Sequence, residues 1–181
     1  MPDATVALSE ARFEQIAAAG WRIAVAESLT GGLLADAFVS VPGASSVFSG
    51  AVVAYDTALK HSVLGVDEAL LIESGPVHPE VARHMARGVR AVCAVRREQG
   101  GEAMVADIGL ATTGVAGPDP DPQTGQAAGT VWLGVSSRLG DRAVLMQFDG
   151  DRQAIREAAV RAVLIELADE LSSLGLDFPE T

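Results

Sequence analysis

The sequence has almost no lysine: of its 13 basic residues 12 are arginine, and Lys60 is the single amine side chain. Cysteine is equally scarce. The lone Cys93 excludes an internal disulfide, and three scattered histidines with one thiol offer no recognisable zinc-ligand spacing, so no metal is expected. Eight aromatic residues, two Trp, one Tyr and five Phe, are too few to build a base-stacking surface for single-stranded nucleic acid, and they leave the core to aliphatic side chains. Positive charge is short as well. Thirteen basic against 24 acidic residues give a formal net charge of −11, which opposes binding to a phosphate backbone or to anionic lipid. Any anionic ligand must therefore be held by a local site. No apolar run approaches 18 residues, and the N-terminus, with Asp3, Ser9, Glu10 and Arg12, lacks the basic and apolar regions of a secretory signal. The expectation is a cytoplasmic protein with neither a nucleic-acid nor a membrane partner.

What is present is a globular composition of 181 residues, 49% hydrophobic and 20% charged, enough to close a core without staples. Residues 1–181 read as a single domain without repeat or linker. Apolar periodicity predicts a helix from about Leu8 to Ala19, a strand over Arg22–Ala26 and a helix through Leu33, Leu34, Ala37 and Phe38. A loop at Val41–Ser46, a strand over Phe48–Tyr55 and a helical stretch with Leu59, Val63 and Leu64 follow. His78-Pro79-Glu80 opens an amphipathic helix to about Glu98, with Val81, Met85, Val89, Val92 and Val95 inward. Then come a strand from about Met104 to Thr112, a Gly/Pro/Asp-rich loop over Gly114–Gly129, and strands Thr130–Ser136 and Arg142–Phe148 around Gly140-Asp141. A last helix runs from Asp151, as N-cap, to about Leu174. Helices alternating with strands predict an α/β fold: a three-layer α/β/α domain on a mixed, mostly parallel sheet of about five strands.

Four segments could carry chemistry. Glu27-Ser28-Leu29-Thr30-Gly31-Gly32 places a hydroxyl at a strand end before a helix, where main-chain amides favour an anion or a developing oxyanion, and where Ser28 or Thr30 could equally be a helix cap. Tyr55 and Lys60 follow the next strand. Arginine cannot be deprotonated, whereas a desolvated lysine can become a neutral base; a leftover surface cation is the plainer alternative. Thr112-Thr113-Gly114-Val115-Ala116-Gly117-Pro118 runs a strand into glycine turns, at the end of an open sheet where ligands bind, or simply where a tight turn needs glycine. Gly150-Asp151-Arg152 opens the last helix with a cation that could face a phosphate or solvent. A P-loop is excluded because the only lysine follows leucine, and no Gly-rich dinucleotide fingerprint accompanies the tyrosine and lysine.

In this order the segments resemble the CinA C-terminal domain family, whose stand-alone members are nicotinamide-nucleotide amidohydrolases. The resemblance runs through AESLTGG (Ala26–Gly32), VPGASSVFSGAVVAY (Val41–Tyr55), Lys60 with LGV (Leu64–Val66), Gly75–Val77, TGVAGP (Thr113–Pro118), GTVW (Gly129–Trp132) and FDGDR (Phe148–Arg152). It implies hydrolysis of the carboxamide of nicotinamide mononucleotide to the acid and ammonia, without metal or cofactor. Carried over by motif, Ser28 is the nucleophile, Lys60 its general base with Tyr55 beside it, and Thr113 a site hydroxyl. Thr30, Gly31, Gly32, Gly114 and Arg152 are then substrate-binding. Where many members have Ser-Asn after the tyrosine, Gly-Ala-Val-Ser, and Lys-Pro-Val before GTVW, this chain has Asp56-Thr57, Gly75-Pro76-Val77-His78 and Gln126-Ala127-Ala128. The alternative function is a catalytically weak or inactive nucleotide-binding or interaction module of the same fold. The partner expected is a small-molecule nucleotide, and a homo-oligomer is compatible with the sequence.

Overall fold

The computed structural model describes residues 10–97 and 100–176. Its elements are, in chain order, α1 (Glu10–Ala18), β1 (Ile23–Glu27), α2 (Leu33–Val39), a 3₁₀ turn (Ala44–Ser46), β2 (Phe48–Val53), α3 (Thr57–Ser62), α4 (Glu68–Ser74), α5 (Pro79–Val92), β3 (Val95–Arg96), β4 (Ala103–Met104), β5 (Ile108–Gly114), β6 (Thr130–Ser137), β7 (Gly140–Gln147) and α6 (Arg152–Ser173). Five strands form one sheet in the order β2-β1-β5-β6-β7. β1 pairs parallel with β2 and β5, whereas β5–β6 and β6–β7 are antiparallel, so β6 is the one strand running against the rest. Helices cover both faces, and the mixed three-layer α/β/α reading holds.

The two faces of the sheet differ because β1 and β5 alternate large and small residues at the two-residue strand period. Ile23, Val25, Ile108 and Leu110 point into a core shared with α1, α2 and α6, where Phe13, Phe38 and Phe48 stack at centroid separations of 6.1 and 5.0 Å. Ala24, Ala26 and Ala111 point the other way, toward Val81, Met85, Ala86 and Val89 of α5. Small residues here set a close helix-to-sheet distance. A β-carbon on Gly109 would lie 1.9 Å from the Ala86 carbonyl oxygen, and one on Gly134 would lie 2.2 Å from that of Ala82, one turn earlier on α5.

The departures from the sequence reading are local. α5 stops at Val92 instead of about Glu98, and Val95, expected on its inward face, belongs to a two-residue antiparallel pair with β4, Val95 opposite Met104. Val92 is 46% exposed, so the apolar stripe ends at Val89. Glu98 and Leu8, the expected ends of two helices, lie outside the described residues. α4 was not expected, although Asp67 caps its start by accepting from the Ala69 amide at 2.8 Å and Gly75, with φ 74°, ends it. Asp151 caps α6 as expected, accepting from the Ala154 amide at 2.9 Å. Among the described residues no helix is long and apolar enough to cross a membrane.

Gly134→Ala forces a methyl group into backbone rather than into a movable side chain. It should cost about 1–3 kcal/mol of stability, read as a lower urea midpoint at unchanged slope. A midpoint equal to that of the unmodified protein would refute the close approach of α5.

Candidate functional site

Parallel β1 and β5 end side by side, and their chains part there: β1 runs into the turn that opens α2, whereas β5 runs into the loop that leads to β6. That divergence opens a crevice, the usual ligand position in an open α/β sheet. The cavity there has a volume of about 420 Å³. Ser28, Leu29, Tyr55, Thr57, Lys60, Thr113, Gly114 and Arg152 line it, together with the loop from Val115 to Pro122.

Ser28 extends the β1–β5 ladder by one bond, its amide donating to the Thr112 carbonyl at 3.0 Å, which fixes where its side chain emerges. Its hydroxyl meets Lys60. The lysine is on α3, is 1% exposed, and places Nζ 3.0 Å from Ser28 Oγ and 2.7 Å from the Ala54 carbonyl oxygen. Neither contact is a carboxylate. Burial without an ion-pair partner disfavours the ammonium form and lowers the Lys60 pKa from its ordinary value of 10.5 to about 8, with the charge of Asp56 pulling weakly the other way. At neutral pH roughly one molecule in ten then carries a neutral amine. In that form an N–H donates to the Ala54 carbonyl while the lone pair can accept the Ser28 hydroxyl proton.

Around this pair the expected residues divide. Tyr55 lies in the cavity wall but its hydroxyl accepts from Arg152 Nη2 at 2.7 Å, so its partner is the arginine rather than the lysine. Arg152 also donates through Nη1 to the Gly117 carbonyl at 2.9 Å, tying the start of α6 to the loop after β5. The Thr113 hydroxyl, 1% exposed, donates to the Pro76 carbonyl at 2.7 Å, so it braces the segment before α5 at the cavity floor. Thr30, Gly31 and Gly32 are placed outside the cavity lining. The Thr30 hydroxyl bonds to that of Thr112 at 2.8 Å, the Gly31 amide closes a turn onto the Ser28 carbonyl at 3.2 Å, and the Gly32 amide is taken by Glu27.

Glu27 is the group that residue-by-residue reading passed over. Completely buried, its carboxylate accepts from the amides of Gly32 (3.0 Å), Leu34 (3.1 Å) and Ala35 (2.9 Å). The start of α2 is thus closed by the protein's own carboxylate, which is neither Ser28 nor Thr30 and leaves those helix amides no ligand to bind. The sequence signal was present, since a glutamate at a strand end followed by Gly-Gly needs a partner once buried. Arg156 was missed too; it donates to the carbonyls of Leu29 at 3.0 Å and Thr30 at 2.8 Å.

The loop beyond β5 is latched. Gln123 donates to the carbonyls of Leu71 and Ile72 at 3.1 and 3.0 Å, Gln126 donates to that of Val77 at 2.8 Å, and Asp121 accepts from the Thr124 amide and hydroxyl. His78 caps α5 through Nδ1, which accepts from the Glu80 amide at 3.3 Å. Among the described residues no group of three His, Cys, Asp or Glu side chains is arranged to hold a metal ion.

A family model, the CinA C-terminal domain, matches residues 5–171. The chain belongs to that family. It is 44% identical to a "CinA-like protein" of Frankia casuarinae over 78% of this chain, which spans only 30% of that relative's length. It is 39% identical to the "Nicotinamide-nucleotide amidohydrolase PncC" of Enterobacter agglomerans over 79% of this chain and 81% of that protein. The crystal structure of a CinA superfamily protein from Klebsiella pneumoniae superposes with a TM-score of 0.80 at 30% identity, covering 94% of this chain and 98% of that one. A competence/damage inducible protein from Agrobacterium tumefaciens gives 0.78 at 29%, covering 92% and 93%. The chain spans about a third of the length of several curated relatives that it matches, the Frankia protein among them.

The buried amine of this CinA-family chain sets a pH expectation. If neutral Lys60 is the active form, any rate that depends on it rises about tenfold per pH unit below pH 8 and levels off above it, because protonation removes the lone pair. Asp56→Asn keeps the cap on the Ala58 amide and removes the charge that raises the lysine. The acid limb of kcat/KM should therefore move to lower pH, and a limb that stays in place would show that Lys60 is not the titrating group.

Proposed function

We propose that this chain hydrolyses the carboxamide of nicotinamide mononucleotide, giving nicotinic acid mononucleotide and ammonia through an acyl-enzyme on Ser28. The observation that carries the reading is the buried Lys60 Nζ, 3.0 Å from Ser28 Oγ and without a carboxylate contact. The named activity of the Enterobacter relative, which this chain covers over 81% of its length, supports the choice of substrate.

In this reading the Ser28 oxygen attacks the carboxamide carbon while its proton passes to the neutral Lys60 amine. The tetrahedral intermediate then collapses: the C–N bond breaks, and the departing nitrogen takes the proton back from Lys60 and leaves as ammonia. Water attacks the resulting ester, Lys60 accepts a water proton, and the released Ser28 oxygen recovers it as the acid departs. The Ala54 carbonyl keeps the amine aimed at Ser28 throughout. Arg152, held by Tyr55 and Gly117 at the cavity wall, is the cation available to a phosphate in a chain of net charge −11. Tyr55 thereby acts on the substrate through the arginine it orients, and Gly114 lines the wall beside Thr113, where a β-carbon would lie 2.6 Å from the Thr130 carbonyl oxygen and crowd β6.

An ammonia-release assay with nicotinamide mononucleotide tests the assignment. Ser28→Ala should abolish release while leaving binding and fold intact. Lys60→Arg should lose as much as Lys60→Ala, on the order of 10²-fold or more, since arginine keeps charge and reach but cannot give up a proton. A Lys60→Arg enzyme within a few-fold of the unmodified protein would reject the base. Nucleotide binding without ammonia release by the unmodified chain would reject catalysis and favour a binding module instead.

A further inference from the structure

Arg156 sits one helical turn beyond Arg152 on α6 and does not line the cavity. Its guanidinium is nonetheless committed to the residues that directly follow Ser28. Nε donates to the Leu29 carbonyl at 3.0 Å and Nη2 to the Thr30 carbonyl at 2.8 Å, while Nη1 is steadied by Gln153 Oε1 at 3.0 Å. One planar fork therefore sets two consecutive peptide planes. In a trans peptide the C=O and N–H point to opposite sides, so drawing both carbonyls toward α6 turns the amide edges of the same two planes away from it. Those amides are the ones of Thr30 and Gly31; the Gly31 amide accordingly closes onto the Ser28 carbonyl, and Leu29, between Ser28 and the held turn, lines the cavity. The fit is close: Gly31 has φ 57°, and a β-carbon there would lie 3.3 Å from Arg156 Nη2.

We propose that Arg156 is a positioning residue for Ser28, holding the Leu29 and Thr30 carbonyls against α6. Their partial negative charge then stays away from the oxygen of the reacting amide, and the hydroxyl stays in register with Lys60. Were either peptide to rotate, a carbonyl dipole would oppose the charge that develops in the transition state. The inference rests on the reading of Ser28 as nucleophile and not on which amide is the substrate.

The test uses the full chain with a fluorophosphonate probe, read by mass spectrometry at Ser28. Labelling forms the Oγ–P bond and breaks P–F, with fluoride leaving and the serine proton passing to Lys60. Arg156→Ala should slow labelling and lower kcat for ammonia release by roughly 10- to 100-fold, with KM nearly unchanged, the scale expected when a reacting group is misplaced. Free guanidinium ion should restore a measurable part of both rates, and ammonium should not, since only the planar fork spans two carbonyls. Labelling and kcat at unmodified rates would overturn the proposal, as would a loss confined to melting temperature. If Arg156→Ala does not fold, Arg156→Lys, which keeps one donor centre but no fork, decides by the same readouts. An unmodified chain that labels at Ser28 but releases no ammonia from nicotinamide mononucleotide refutes the substrate alone and leaves the Arg156 comparison standing. An unmodified chain that does not label overturns Ser28 and this proposal together.

Discussion

An amine buried against a carbonyl and a hydroxyl, with no carboxylate in contact, is an unfavourable place to keep a positive charge, and the architecture around the cavity is organised to hold it there. Lys60 is 1% exposed, and its pKa of about 8 reflects burial more than any neighbour. Water would relieve that penalty if it could enter. The Asp56 cap and the bond from the Val66 amide to the Lys60 carbonyl fix the two ends of α3, while Lys60 itself, bonded to Ser28 and to Ala54, and the Ala54 amide, bonded to the Glu27 carbonyl, join it to the ends of β1 and β2. The amine then reaches Ala54 and Ser28 together, so its geometry follows from backbone positions at two strand ends rather than from flexible side chains.

Those strand ends are rigid because of what lies beneath them. Large residues on one side of β1 and β5 fill the core with α1, α2 and α6, and small ones on the other let α5 approach nearly to backbone contact. A central strand buried on both faces cannot shift by one residue without exchanging the two sets. Ser28 inherits that precision through its ladder bond to Thr112. Beyond it, Glu27 satisfies the first amides of α2 and Arg156 satisfies the carbonyls of the turn, so opposite polar edges of the segment from Leu29 to Ala35 are each held by one charged side chain from the protein itself.

This explains which parts were legible in the sequence. Strands, the long helices and the order of layers follow from apolar periodicity, which reports packing against a common core, and Lys60 stood out because the chain has no other lysine. α4 was hidden because Leu70, Leu71 and Ile72 are contiguous and give no helical period, even though Asp67 and Gly75 mark its ends. The end of α5 was overrun because Val92 and Val95 continue an apolar spacing that the structure uses for an exposed helix end and a short hairpin. Glu27 and Arg156 act on main-chain amides and carbonyls, which every residue carries; a glutamate at a strand end was the one signal for Glu27, and Arg156 had none. The role of Arg156 becomes visible only when turn and helix are brought together across more than 120 residues of chain.

The three departures from the family pattern can be weighed by what each side chain does here. His78 caps α5, a role that a serine at that position would also fill, so the exchange preserves the segment whose Pro76 carbonyl receives Thr113. Gln126, where many members have lysine, ties its loop to Val77 and accepts from the Asp121 amide through its carbonyl, in a loop that lines the cavity with Asp119 and Asp121. Asp56 caps α3 as the serine of many members at that position would, while raising the proton affinity of the buried amine. Two of the substitutions thus keep the architecture and shift the electrostatics in one direction, toward more negative charge around a cavity proposed to hold an anion. Arg152 becomes the cation on which that balance depends, and its two fixed partners, Tyr55 and Gly117, hold it at the mouth of the site instead of leaving it to the many carboxylates of the surrounding surface.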